Sequence, residues 1–302
     1  MNKINDTFNY FGSIFLSHKT KEKSEKIIVF IAIFSFIIHL ALIALSKLKV
    51  IVVDDYSMLL NNPIAAIYTP FSFILVYEVY LLVYYLPKST SIYIGKQYEI
   101  ISLIVIRRIF KDLSNLEFVT NWFENKNDLL LLLDLVTIIV LFFLIFIFYR
   151  LSNQNELKRE KQLQPEIVKF IQLKKNIATL LIPILLVLSC YSFGNWIFEN
   201  FFSLQKMVSN IKDINKIFFD DFFTILILID VLLLLISFLH SDNFSKVIRN
   251  SGFIISTIIL KLSFGTEGIL NTILVIIAVS FGVIILKIHN NYVNLDNNKV
   301  IN

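Results

Sequence analysis

The sequence predicts an all-α, polytopic membrane protein with eight transmembrane helices in two parallel four-helix repeats. The chain is unusually apolar: 56% of its 302 residues are hydrophobic, 17% are charged, and the mean hydropathy is +0.72. Soluble domains of this size are far more polar. Several apolar runs approach the roughly 20 residues that a helix needs to cross a bilayer. In addition, residues 71–113 have a counterpart at residues 222–264.

The two related stretches share one arrangement of charges. In each, an apolar run with one acid near its middle is followed by a short polar turn and a second apolar run with one base. Glu78 precedes Arg107 by 29 positions, and Asp230 precedes Lys261 by 31 positions. We interpret this as an internal duplication of a helical hairpin. Helices are expected because every backbone polar group in lipid must be satisfied internally.

Eight apolar runs fit these helices in order along the chain. Helix two ends before Pro87, because proline cannot continue a helix and restricts the residue before it. Helix three contains several basic residues, whereas its counterpart in the second repeat is apolar apart from Lys261. We therefore expect both helices to cross the membrane or nearly to cross it. Helix one shifted by 152 positions coincides with helix five. The predicted helices are 27–46, 64–86, 97–113, 129–151, 176–198, 219–240, 251–264 and 269–287.

These helices divide the chain into five parts. Four crossings in each half give both halves the same orientation, so the repeat is parallel and not inverted. The polar stretch between the halves suits either a solvated linker helix or binding to an anionic lipid surface. The predicted parts are a cytoplasmic N-terminal segment (1–26), the first repeat (27–152), a charged cytoplasmic linker (153–175), the second repeat (176–290) and a cytoplasmic tail (291–302).

The distribution of basic residues predicts that both termini are cytoplasmic. With that orientation, 18 of the 28 lysines and arginines fall in segments on the inner side of the membrane. This bias agrees with the preference of lysine and arginine for cytoplasmic loops. The sequence therefore predicts a multi-pass protein whose main partner is the lipid bilayer, and it leaves the oligomeric state open.

Four charged residues lie near the middle of predicted helices: Glu78, Arg107, Asp230 and Lys261. A charge at the centre of a bilayer costs from about 2.5 to more than roughly 10 kcal/mol, so each needs a partner. At about 1.5 Å per residue, all four lie roughly 12 to 18 Å from the inner helix ends. We therefore expect two pairs, Glu78 with Arg107 and Asp230 with Lys261, that fix the register of the hairpins. Passage of protons or ions and direct contact with a ligand are the alternatives.

Further acidic residues are predicted at the outer face. Asp54, Asp55, Asp220 and Asp221 either form an acidic mouth that attracts cations or belong to an ordinary solvated surface. Asp134 lies near the outer end of helix four, where we expect it to cap the helix or to face water.

The sequence lacks the common signatures of catalysis and cofactor binding. It has no glycine-rich phosphate loop, no His-Glu-x-x-His and no Gly-x-Ser-x-Gly. Its only cysteine, Cys190, excludes an intrachain disulfide or a thiolate cluster. We therefore expect no enzymatic activity, no metal, no cofactor and no nucleic-acid partner.

The arrangement of charges resembles the phosphate-starvation-inducible protein E (PsiE) family of bacterial four-helix membrane proteins. The resemblance implies a tandem PsiE-like protein of the bacterial inner (cytoplasmic) membrane, although the second repeat has Asp and Lys where the family has Glu and Arg. It implies no particular activity. The expected function is thus that of a non-enzymatic scaffold, sensor or effector, and the alternative is an ion or proton channel or transporter that uses the two charged pairs. The matching positions are Glu78, Arg107 and 148–160 in the first repeat and Asp230, Lys261 and 284–287 in the second.

Overall fold

A computed structural model describes residues 10–48, 63–114, 126–156, 165–197, 214–238, 244–266 and 268–301. These residues are almost entirely helical and include no strand, so the predicted all-α class is confirmed. A 3-10 helix, Pro63–Ile67, leads into the second α-helix. The described α-helices of 18 or more residues are α1 (His18–Lys47), α2 (Tyr68–Tyr85), α3 (Thr90–Ser114), α4 (Lys126–Glu156), α5 (Pro165–Ile197), α6 (Ile214–Phe238), α7 (Phe244–Phe264) and α8 (Ile269–Ile301).

Most helices are longer than the apolar runs that predicted them. α1 begins at His18, where Ser17 caps the helix by accepting a hydrogen bond from the Thr20 N–H at 3.1 Å. α5 begins at Pro165, inside the predicted linker, and α8 continues through the predicted tail. Hydropathy marks the part of a helix suited to lipid, whereas the helix itself continues until a cap or a breaking residue ends it. Residues 157–164 of the linker lie outside the described residues.

Five of the described helices are long and apolar enough to cross a membrane. They are α1, α7 and the greater part of α4, α5 and α8. Shorter apolar helices, Thr69–Tyr85 and Phe222–Phe238, lie in α2 and α6. α3 is not among the five, since it carries Arg107, Arg108 and Lys111. These lengths and compositions indicate a membrane protein.

Helices that follow one another in the chain also pack against one another. α1 to α4 form one such series and α5 to α8 another, while α4 with α8 and α2 with α5 join the two series. Aromatic side chains mark the junction. The ring of Phe148 in α4 lies 5.1 Å from that of Tyr98 in α3 and 5.7 Å from that of Phe253 in α7. A continuous hydrophobic core therefore includes residues of both series.

The exterior of the bundle is apolar, whereas polar groups lie inside it. α4 shows this most clearly: Ile139, Phe143 and Phe146 are each more than 60% exposed, whereas Asp134 and Thr137 are buried. A helix of a soluble bundle has its polar residues outside and its apolar residues inside. The inverted arrangement of α4 suits a helix with lipid on one side and other helices on the other.

Candidate functional site

Glu78 and Arg107 contact each other between α2 and α3. The short connection at residues 86–89 makes these helices neighbours that run in opposite directions. Arg107 Nη2 donates to Glu78 Oε2, and the two residues are 1% and 2% exposed, respectively. A buried ion pair of this kind fixes the alignment of two helices, because moving one helix leaves an uncompensated charge.

Asp230 and Lys261 have other partners than the expected ones. The Lys261 ammonium donates to the Thr224 hydroxyl at 2.6 Å, and Thr224 lies roughly 9 Å along α6 from Asp230. The acid and the base are two positions further apart in the second hairpin than in the first. Because of this difference, Lys261 contacts a residue that precedes Asp230 on α6. The two hairpins therefore differ in their polar contacts.

Asp230 lies instead on a small cavity that it shares with Lys174 of α5. The cavity has a volume of about 40 Å³, which is room for roughly three water molecules. Lys174 and Asp230 are only 7% and 8% exposed. The sequence places Lys174 in a surface linker, yet α5 begins before it and carries it into the interior. Asn250 of α7 and Tyr93 of α3 are among the other polar residues of the lining.

One side chain of α3, Gln97, connects Asp230 to α7. Gln97 Nε2 lies 3.5 Å from the Asp230 carboxylate, and Gln97 Oε1 accepts a hydrogen bond from the Thr257 hydroxyl at 2.9 Å. One turn earlier, the Tyr93 hydroxyl is near both Asp230 and Gln97. It is fully buried and makes no hydrogen bond of good geometry with either of them. The region thus combines an acid, a base and a buried hydroxyl from three different helices.

Arg108 forms a second polar centre, near the end of α3. Its guanidinium donates two hydrogen bonds to the Asp134 carboxylate of α4, one from Nε and one from Nη2, and the Nη2 bond is 2.6 Å long. The guanidinium also donates to Asn271 of α8. The Thr272 hydroxyl donates to Asp134 Oδ1 at 3.2 Å. The expectation that Asp134 faces water is therefore wrong, since Asp134 is only 3% exposed. A planar guanidinium is suited to this bidentate contact with a carboxylate.

Sequence reasoning missed Arg108, Lys174 and Asn271. Only Arg107 has a basic counterpart in the second repeat, so the comparison of repeats drew attention away from Arg108. One signal was present: Asp134 is an acid within an apolar run, and such an acid requires a base on a neighbouring helix. No comparable signal exists for Lys174, because the composition around it is that of a linker.

The predicted acidic mouth is not visible in the described part of the molecule. Asp54 and Asp55 lie outside the described residues. Asp220 and Asp221 belong to α6, but their side chains lie outside the described set. Within the ranges that the structure describes, no three His, Cys, Asp or Glu side chains come together as a metal site requires.

Comparisons of the chain with protein-family models, with curated proteins and with solved structures give no match. The arrangement of the buried charges is therefore the basis for the function proposed below.

Proposed function

We propose that this chain is a non-enzymatic integral membrane protein of the scaffold, sensor or effector kind. One observation carries the proposal: the strongest charged contacts are closed within the bundle, Glu78 with Arg107 and Asp134 with Arg108. Charges paired directly in this way hold helices together, because each charge is compensated by its partner and not by a ligand. This arrangement supports a structural role for Glu78 with Arg107 and for Asp134 with Arg108.

The proposed architecture has eight crossings in two parallel four-helix repeats, as in a tandem PsiE-like protein of a bacterial inner membrane with both termini in the cytoplasm. Exposed apolar side chains support the membrane setting. α1 packs on α2 and presents Phe30 and Phe34, which are 70% and 58% exposed. Lipid is the natural solvent for such a face. Lys169 and Lys175 stay exposed on α5 and are our candidates for contact with anionic lipid.

Cysteine labelling tests whether α3 and α7, the helices that carry Arg107 and Lys261, cross the membrane. In a Cys190→Ser background, single cysteines are introduced at Ser89 and Asn121, on either side of α3, and at Ser241 and Thr266, on either side of α7. A membrane-impermeant thiol reagent is then added to intact spheroplasts. We expect one cysteine of each couple to be labelled. Labelling of both members would mean that the intervening helix does not cross.

A flux measurement tests the structural role of the charges against the channel alternative. The purified protein is reconstituted in liposomes, and proton and potassium fluxes are recorded for the wild type and for Glu78→Gln at matched helical content. We expect no flux above that of empty liposomes for either protein. A wild-type flux that Glu78→Gln abolishes without loss of fold would overturn the structural role and favour transport along the charged pairs.

A further inference from the structure

We propose that the cavity between α3, α5, α6 and α7 is a hydrated proton-exchange site, in which water links the Asp230 carboxylate, the Lys174 ammonium and the Tyr93 hydroxyl. This inference deepens the proposed function, because it gives the sensor kind of protein a ligand, the proton. The site itself depends only on the geometry of the bundle. The proposed membrane orientation determines only the compartment from which the proton arrives.

The lining of the cavity favours water over an empty space. Buried water occupies polar cavities where it finds two to four hydrogen-bonding partners, whereas apolar cavities stay dry. Here the described lining combines polar residues, among them Asp230, Lys174, Tyr93 and Asn250, with seven apolar ones, so a water molecule has polar partners within reach. The Tyr93 hydroxyl is fully buried and lacks a protein partner of good geometry. A buried hydroxyl of this kind is costly unless a further molecule satisfies it.

The charges around the cavity favour proton exchange over the binding of a metal cation. Asp230 is the only carboxylate among the described residues of the lining, and Lys174 adds a positive charge to the same lining, so a second cation would be repelled. A proton, in contrast, adds to Asp230 itself. One proton from water converts the carboxylate to a carboxylic acid and changes the net charge of Asp230 and Lys174 together from zero to +1. Release of that proton to water reverses the step.

The described residues around Asp230 come from four parts of the bundle. α5 contributes Lys174, and α3 contributes Tyr93 and Gln97. α7 contributes Asn250. The neighbouring residue, Arg249, carries a positive charge that interacts electrostatically with Lys174. The segment after α2 contributes only apolar Leu86. Lys174 is thus the charged group that lines the cavity together with Asp230, and the second cation, Arg249, lies near that lysine.

The position of the cavity suggests where protons enter. Leu86 and Thr90, which flank the connection between α2 and α3, line it, and so does Ser237, next to the last residue of α6. These residues all lie at one end of the bundle. In the proposed topology that end is cytoplasmic, so the site would exchange protons with the cytoplasm.

Infrared difference spectroscopy on the full-length protein tests the proposal. Spectra are recorded between acidic and alkaline pH, over the range in which the helical content is constant, and the carboxylic-acid C=O stretching band is followed. We expect a band that titrates, shifts on transfer to D₂O within the dead time of buffer exchange, and disappears in Asp230→Asn. Glu99→Gln, which alters a carboxylate at the same end of the bundle, should leave the band unchanged.

A second variant covers the case in which Asp230→Asn does not fold. Tyr93→Phe preserves every charge and removes one hydroxyl, so it should fold and should move the same band to higher frequency as the water network loses a partner. A titrating band that responds to neither variant would overturn the assignment to Asp230. A band that does not shift in D₂O would show a dry site and would equally overturn the proposal. Both results are independent of the labelling experiment on the crossings.

Discussion

The Tyr98 hydroxyl of α3 occupies the space in which the Cβ of any larger residue at position 282 of α8 would lie. This hydroxyl is 2.7 Å from Ser256 Oγ, and Ser256 in turn donates to the Ala278 carbonyl at 2.7 Å. Gly282 therefore leaves room for the Tyr98 hydroxyl against the backbone of α8, and α3, α7 and α8 are joined there by buried hydrogen bonds.

We expect Gly282→Ala to lower the free energy of unfolding by about 1 to 3 kcal/mol, the usual effect of forcing extra volume into a packed interior. The measurement is chemical unfolding in detergent, followed by circular dichroism. Gly194→Ala is a matched control, because no atom lies within 4 Å of a Cβ at position 194. That control should be neutral or stabilising by up to about 1 kcal/mol through helix propensity. Equal effects of the two substitutions would contradict the contact between the Tyr98 hydroxyl and the backbone of α8.

Glu78→Gln should lower the free energy of unfolding by roughly 3 to 5 kcal/mol, because it leaves the buried Arg107 guanidinium without its counterion. Glu99→Gln is the control: Glu99 accepts from Lys96 at 2.6 Å in a partly exposed ion pair that contributes at most about 1 kcal/mol, and a glutamine oxygen can still accept from the Tyr149 hydroxyl. A denaturant midpoint for Glu78→Gln equal to that of the wild type would mean that the pair contributes little.

The two hairpins should differ in a double-mutant cycle. Glu78 and Arg107 are in contact, so Glu78→Gln with Arg107→Met should give a coupling energy above about 1 kcal/mol. Asp230 and Lys261 have separate partners, so Asp230→Asn with Lys261→Met should give a coupling energy below about 0.5 kcal/mol. The cycles are measured from unfolding free energies under one set of conditions. Strong coupling between Asp230 and Lys261 would restore the pairing expected from the sequence.

Arg108→Lys should lower the free energy of unfolding by about 2 to 3 kcal/mol, since a lysine cannot hold Asp134 with two hydrogen bonds while also donating to Asn271. Arg150→Lys, at an exposed position of α4, is the control and should change the stability by less than about 0.5 kcal/mol. If both arginines tolerate lysine equally, then positive charge alone, and not the geometry of the guanidinium, is what the centre around Arg108 requires.

The helical class and most of the helices could be predicted from the sequence, because apolar runs of this length have few other stable conformations in lipid. The sequence also placed Glu78 and Arg107 at matching depths, since both lie on neighbouring helices joined by a short turn. The partners of Asp230 could not be found in this way. Gln97 comes from α3, in the other series, and only the packing of the two series brings it to Asp230. Lys174 comes from α5, the helix before Asp230, but from a stretch whose composition is that of a linker. Depth along a helix can be read from spacing, but the direction in which a side chain points cannot.

The contacts of Arg108 impose an order on the assembly of the protein during its synthesis. Asp134 follows Arg108 by only 26 residues, so this charge can be neutralised while the first half enters the membrane. Asn271 follows by 163 residues, which at about 5 to 20 residues per second is a delay of roughly 10 to 30 s. During that time the guanidinium has its counterion but lacks its last hydrogen-bond acceptor. The hydrogen bonds of Arg108 in the first half of the chain are therefore complete only after α8, the last helix, has been synthesised.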